Sequence, residues 1–201
     1  MDPDTRAGIW VIREPETFFR TRVHSPINAT HPQKRLQGLA VRYLLPELFA
    51  DIRPDQVYSG PAGNPLLEGA PYFISFSHTG DHAAAMAGRK GKVGIDIEIL
   101  SPKVSRVAGK FLAPEELTFI SGTDPVLHQT ICWCAKEAIF KWHGEGGVDF
   151  RDHIRLHPFE AGKSGLIRGS FLMPGRKADL SVHYECESGW SMAWCKDPGP
   201  E

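Results

Sequence analysis

Val93-Gly94-Ile95-Asp96-Ile97-Glu98-Ile99-Leu100 alternates without a break. In an extended chain Val93, Ile95, Ile97 and Ile99 fall on one side and Gly94, Asp96 and Glu98 on the other, so the stretch reads as a β-strand with one apolar and one acidic face. Before it, Tyr72–Ser77 alternates aromatic and β-branched residues, Thr79-Gly80-Asp81 turns the chain, and His82–Ala87 returns as a strand weakened by its alanines. Further upstream Leu36, Leu39, Ala40, Tyr43 and Leu44 form one face of a helix within His31–Phe49, and a Gly- and Pro-rich loop follows over 54–69. Downstream, Pro114-Glu115-Glu116 opens a short helix. A long helix over Leu127–Trp142 follows, with Leu127, Ile131, Cys134, Ala138 and Trp142 as its apolar stripe, and Gly144-Glu145-Gly146-Gly147 stops it. Strand-like segments near 152–158, 165–173, 178–186 and 190–195 complete the pattern. The first eight or so residues and the tail Asp197–Glu201 are expected to be poorly ordered. The class is α+β: two pseudo-equivalent lobes, 1–100 and 101–201, each a helix with an antiparallel sheet. A hairpin echo between Ser75–Ala87 and Ser181–Ala193 agrees with this, though the identity is too thin to show duplication.

Bulk composition bounds the function without naming it. The 201 residues are 41% apolar and 23% charged, ordinary for a globular chain. With 23 Lys and Arg against 24 Asp and Glu the net charge is −1, which excludes a nucleic-acid binder that works by bulk positive charge. No apolar run approaches the roughly 18 residues of a membrane helix, and Met1-Asp2-Pro3-Asp4 has no signal-peptide pattern, so a cytoplasmic protein without membrane contact is expected. Cys132 and Cys134 point about 200° apart on a helix, and Cys186 and Cys195 read as packed thiols across a hairpin.

Two constellations carry chemistry. Asp96 and Glu98 project from one face of a strand with Cα atoms roughly 7 Å apart, close enough to share a hard cation, and Gly94 on that face leaves room for a ligand. On the long helix Trp133, Glu137 and Lys141 share a face at spacings of four, with Lys136 about 100° round. Each has a bland reading, an acidic strand face in one case and a solvated ion pair in the other. The second leaves an exposed Trp133 on a charged face unexplained. His78, between Ser77 and Thr79 at a turn, is placed to meet a phosphate, though a local hydrogen bond would also account for it.

Ser77-His78-Thr79, then Gly94-Ile95-Asp96-Ile97-Glu98, then Trp133-x-x-Lys136-Glu137-Ala138-x-x-Lys141 together resemble the 4′-phosphopantetheinyl transferase superfamily. The likeness covers residues 31–160, with Lys34-Arg35-Leu36 to Arg42 similar to an early basic helix and Gly144–Phe150 to a loop after the long helix. The length is similar to the longer, monomeric, surfactin-synthetase-activator type. The resemblance implies transfer of the phosphopantetheine arm of coenzyme A to a serine of an apo acyl or peptidyl carrier protein, releasing adenosine 3′,5′-bisphosphate. It implies Asp96, Glu98 and Glu137 as Mg²⁺ ligands, and Arg35, Arg42, Ser77, His78, Lys141 and Trp133 as coenzyme A contacts. Lys136 and Lys141 would neutralise the reacting phosphate, and Glu137 would activate the serine directly or through a metal-bound water. Two positions depart from the family's pattern: Asn64 stands in Gly63-Asn64-Pro65 where a lysine is common, and Thr79 replaces a serine.

The physics runs the same way, since phosphoryl-type transfer needs a cation-binding carboxylate set ringed by bases. Two alternatives stay in view: a non-catalytic module of this fold that binds coenzyme A or a carrier, and another Mg²⁺-dependent phosphoryl or nucleotidyl transferase. The second lacks both the dinucleotide and the phosphate-loop glycine fingerprints. The expected carrier-docking segment is Val104–Ile120, with Arg106, Lys110, Phe111 and Leu112.

Overall fold

The computed structural model describes residues 3–25, 27 and 29–198. The last tail residues, 199–201, lie outside that range, as do Met1 and Asp2. The chain forms two compact units, the first ending at Val93 and the second beginning at Gly94. This division falls seven residues before the expected one, because the strand over Val93–Ile99 joins the second unit's sheet rather than the first's.

In the first unit a three-stranded antiparallel sheet is crossed by one long helix. Its elements are β1 (Thr5–Val11), α1 (Glu16–Arg20), α2 (Pro32–Leu48), the short strands β2 (Val57–Ser59) and β3 (Pro65–Leu67), then β4 (Phe73–Thr79) and β5 (His82–Gly88). The sheet order is β1-β5-β4, and β2 pairs with β3 across the turn around Gly60–Asn64. Residues 5–8, expected to be loose, are strand: Thr5 opposes Gly88 and Val11 opposes His82 along the whole of β5. The periodicity of Thr5–Val11 is weak, and its partner lies some eighty residues away. Helix α2 buries Leu39, Ala40, Val41, Leu44, Leu45 and Leu48. Ala83–Ala87 of β5 are all fully buried, so the alanines that made the strand weak by propensity are the small surface on which the helix rests.

The second unit repeats the theme of one helix on an antiparallel sheet, at larger size. It runs β6 (Val93–Ile99), α3 (Lys103–Phe111), α4 (Pro114–Leu117), α5 (Pro125–His143), β7 (Ile154–Leu156), β8 (Ser164–Met173), β9 (Arg176–Glu187) and β10 (Trp190–Lys196). The sheet order is β6-β10-β9-β8-β7. Asp124 caps α5 by accepting from the Leu127 N–H at 3.0 Å, and Gly144 ends it in the left-handed region at φ 77°. The apolar stripe of α5 is wider than its sequence pattern: Cys132, Ala135 and Ile139 are buried beside Ile131, Cys134, Ala138 and Trp142. The helix therefore meets the sheet on one side and the chain of α3, α4 and the loop after α5 on another. All four cysteines are buried free thiols. No helix among the described residues is long and apolar enough to cross a membrane.

His128, in the second turn of α5, is 1% exposed. Its Nδ1 accepts the Ser121 N–H at 3.0 Å, so the ring proton sits on Nε2, among the rings of Phe119 and Phe159. Burial holds its pKa below the ordinary value, with Glu160 opposing. The unfolded chain takes up a proton near pH 6.5 while native His128 takes one up only at lower pH, so its contribution to stability is present above that pH and is lost as pH falls. His128→Asn keeps an acceptor for Ser121 and removes the titration. Urea unfolding from pH 7 to 5 is expected to show the wild type binding up to one proton more on unfolding than this variant.

Candidate functional site

Three residues of the acidic strand face α5, and they do so for different reasons. Gly94 touches the helix backbone itself: a Cβ there would lie 1.9 Å from the Ala138 carbonyl oxygen and 2.7 Å from the Trp142 nitrogen. The space expected at Gly94 for a ligand is thus filled by the helix, and the missing side chain is what lets β6 and α5 come together. That approach carries Asp96 and Glu98 to the helix face that holds Trp133, Glu137 and Lys141.

Asp96 is 3% exposed and accepts from Lys141 Nζ at 2.6 Å through Oδ1. Lys141 reaches across to the strand, where the sequence alone allowed a surface pair with Glu137. Trp133 donates from Nε1 to Glu98 Oε1 at 3.4 Å, a long bond. Its indole is not exposed as expected: it is half-buried, with the Phe111 ring 4.9 Å away edge-on and the Phe150 ring at 5.6 Å. Glu137 lies between Trp133 and Lys141 along the helix. Burial and the charges of Asp96 and Glu98 push its carboxyl up to about 7, with Lys141 pulling the other way. Among the described residues no three His, Cys, Asp or Glu side chains converge tightly enough to hold a metal as they stand. The donor chemistry of Asp96, Glu98 and Glu137 nonetheless suits a hard cation. All three offer oxygen, and burial, with the charges of Asp96 and Glu98, favours the neutral form of Glu137.

Lys136 departs from its expected role at the reacting phosphate. It is completely buried, and its three ammonium protons go to Glu116 Oε2 at 2.6 Å, the Phe150 carbonyl at 2.8 Å and the Ile154 carbonyl at 2.7 Å. Glu116, also buried, accepts the Ala113 N–H through Oε2 and the Leu156 N–H through Oε1. Burial lowers the lysine's pKa while Glu116 opposes the shift. A pair so completely satisfied is an internal tie between α4, α5 and β7, and removing one partner alone would cost about 3–5 kcal/mol. The rotation of about 100° from Glu137, read from sequence as a neighbouring position, turns Lys136 into the protein. Glu116, Phe111 and Phe150 have no signal in the chain that marks them as site residues. Glu116 differs from its exposed neighbour Glu115 only in where α4 packs.

The remaining site residues belong to the first unit. Arg35 donates to Glu16 Oε1 at 2.8 Å and, more weakly, to the Ala29 and Thr30 carbonyls. Arg42 donates to the Gly38 carbonyl at 3.0 Å and lies over Phe76, and burial lowers its pKa. His78 is exposed near the end of β4, while Ser77 beside it is buried and points to the opposite face, as strand alternation requires.

The family comparison falls almost wholly on the second unit. The profile of the 4′-phosphopantetheinyl transferase superfamily matches residues 92–195, which include Asp96, Glu98, Trp133, Glu137 and Lys141. A 4′-phosphopantetheinyl transferase AcpT of Salmonella typhimurium (strain LT2) is 33% identical over 96 residues, 46% of this chain and 49% of the relative. Its counterpart in Salmonella typhi is 32% identical over the same span and shares. The chain thus matches about half the length of these curated relatives.

Proposed function

The chain belongs to the 4′-phosphopantetheinyl transferase superfamily, and we propose that it moves the phosphopantetheine arm of coenzyme A onto a serine of an apo carrier protein. The observation that supports this reading lies in the second unit, where Lys141 pairs with Asp96 at 2.6 Å and burial, with the charges of Asp96 and Glu98, raises the pKa of the Glu137 carboxyl. In the reaction the serine Oγ bonds to the phosphorus next to pantetheine. The bridging P–O bond breaks, and adenosine 3′,5′-bisphosphate leaves. The serine proton would pass to Glu137, directly or through a water. Lys141, beside Asp96, would meet charge on the leaving phosphate. Asp96, Glu98 and Glu137 would hold Mg²⁺, which when bound neutralises pyrophosphate charge. In the first unit Arg42 and His78 would contact coenzyme A. Arg35 would do so only by leaving Glu16, and Ser77 would act from its buried position.

The carrier protein expected as partner would dock on α3, whose exposed Lys103, Arg106, Val107 and Lys110 form a basic outer face. Phe111 and Leu112, expected on that surface, are 2% and 1% exposed and belong to the core. Arg106→Glu with Lys110→Glu is therefore expected to raise the carrier's KM about tenfold with kcat nearly unchanged. An unchanged KM would remove α3 from the interface. The activity itself is tested by product identity. Coenzyme A, Mg²⁺ and an apo carrier are expected to yield adenosine 3′,5′-bisphosphate. Tight coenzyme A binding without release would mark a binding module, and another nucleotide product a different transferase.

A further inference from the structure

The mechanism leaves the most deeply buried ion pair of the second unit unused. Lys136 and Glu116 have almost no exposed surface for substrate, yet Lys136 lies one residue along α5 from Glu137. The chain of contacts leading away from them is specific. Lys136 Nζ holds the Phe150 carbonyl at 2.8 Å, in the loop that follows α5. The Phe150 ring then packs on Phe140 at 5.6 Å and on Trp133 at 5.6 Å. Phe111 closes the other contact on the indole, 4.9 Å away edge-on. The indole N–H ends on Glu98 Oε1. Phe111 also closes the helix that leads, through Ala113, to Glu116. Both rings that hold Trp133 thus sit on segments pinned by one buried pair.

We infer that Lys136 and Glu116 are positioning residues for the carboxylate of Glu98, acting through Phe150 and Trp133, and that their contribution to transfer is to set cation affinity. The inference rests on the proposed reading of Asp96, Glu98 and Glu137 as cation ligands. It follows from geometry: a bond of 3.4 Å from the indole is long, so small movements of the ring make or lose it, and Phe111 and Phe150 both pack against that ring. Outer partners that orient metal ligands typically change metal affinity or activity by 10–100-fold when removed.

The test is Mn²⁺ binding, read from the free-ion electron paramagnetic resonance signal with coenzyme A present, alongside the Mg²⁺ dependence of transfer. Lys136→Met with Glu116→Gln removes both charges together, and the glutamine keeps an acceptor for the Leu156 N–H. This variant is expected to bind Mn²⁺ at least about tenfold more weakly, with kcat returning to within about threefold of wild type at saturating Mg²⁺. Phe150→Leu leaves the ion pair intact, cuts the relay at the ring, and is expected to give the same shift. It decides the matter if the double variant does not fold. Unchanged Mn²⁺ affinity in folded variants overturns the inference, whatever happens to activity. So does a kcat that stays low at saturating Mg²⁺ with metal affinity intact, which would return Lys136 to the reacting phosphate. If wild-type protein itself binds no Mn²⁺, the carboxylate site fails and the inference falls with it.

Discussion

Glu137→Gln is expected to abolish transfer, by about 10³-fold in kcat, and at the same time to stabilise the cation-free protein above neutral pH. Both effects have one origin. The Glu137 carboxylate is held beside Asp96 and Glu98 with too little water around it, and its pKa rises from 4.5 to about 7. A native carboxyl with a raised pKa keeps its proton while the unfolded one has lost it. Between those two values the native state binds more protons, so stability falls as pH rises through the interval and stays lower above it. The amide removes that penalty, which amounts to roughly 1–2 kcal/mol at pH 8 once partial exposure is allowed for. It also removes the proton acceptor and one proposed cation ligand. Unfolding at pH 8 and pH 5, without divalent cations, checks the first effect: the variant is expected to gain at pH 8 and not at pH 5. Single-turnover transfer checks the second. A variant within tenfold of wild-type kcat would remove Glu137 from the chemistry.

Gly94→Ala is expected to be the most damaging single methyl group in the second unit. The new Cβ would meet the Ala138 carbonyl oxygen at 1.9 Å and the Trp142 nitrogen at 2.7 Å. Both are backbone atoms of α5, which no rotamer change can move aside. Either β6 or α5 must shift, and with it the Lys141–Asp96 contact that now stands at 2.6 Å. Overpacking of this kind, against rigid atoms and in an already filled interior, is expected to cost 3 kcal/mol or more by order of magnitude. Denaturant unfolding measures the loss. An unchanged midpoint would mean that strand and helix are less closely packed than described.

What the chain's pattern revealed, and what it hid, follows from how many layers touch each element. The alternation of Val93–Ile99 and the fourfold spacing of Trp133, Glu137 and Lys141 were legible because each depends on a single face. Lys136 was misread because its face is covered by a third layer, built from α4 and the loop after α5, which one helix's periodicity does not reveal. The burial of Phe111 and Leu112 is hidden from the sequence pattern for the same reason. Gly94 shows the limit in another form: the position was singled out, but open space and backbone contact leave the same mark in a sequence. The strand at Thr5–Val11 depends wholly on a partner distant in the chain. Arg35 was visible as a base, while the Glu16 that engages it was not.

The most direct test is the intact mass of an apo carrier protein after incubation with this chain, coenzyme A and Mg²⁺. The wild type is expected to add one phosphopantetheine group, and neither Asp96→Ala nor wild type stripped of divalent cations is expected to add any. A carrier left unmodified by the wild type, or modified equally by Asp96→Ala, would contradict the assignment of the Asp96–Glu98–Glu137 cluster as the catalytic centre.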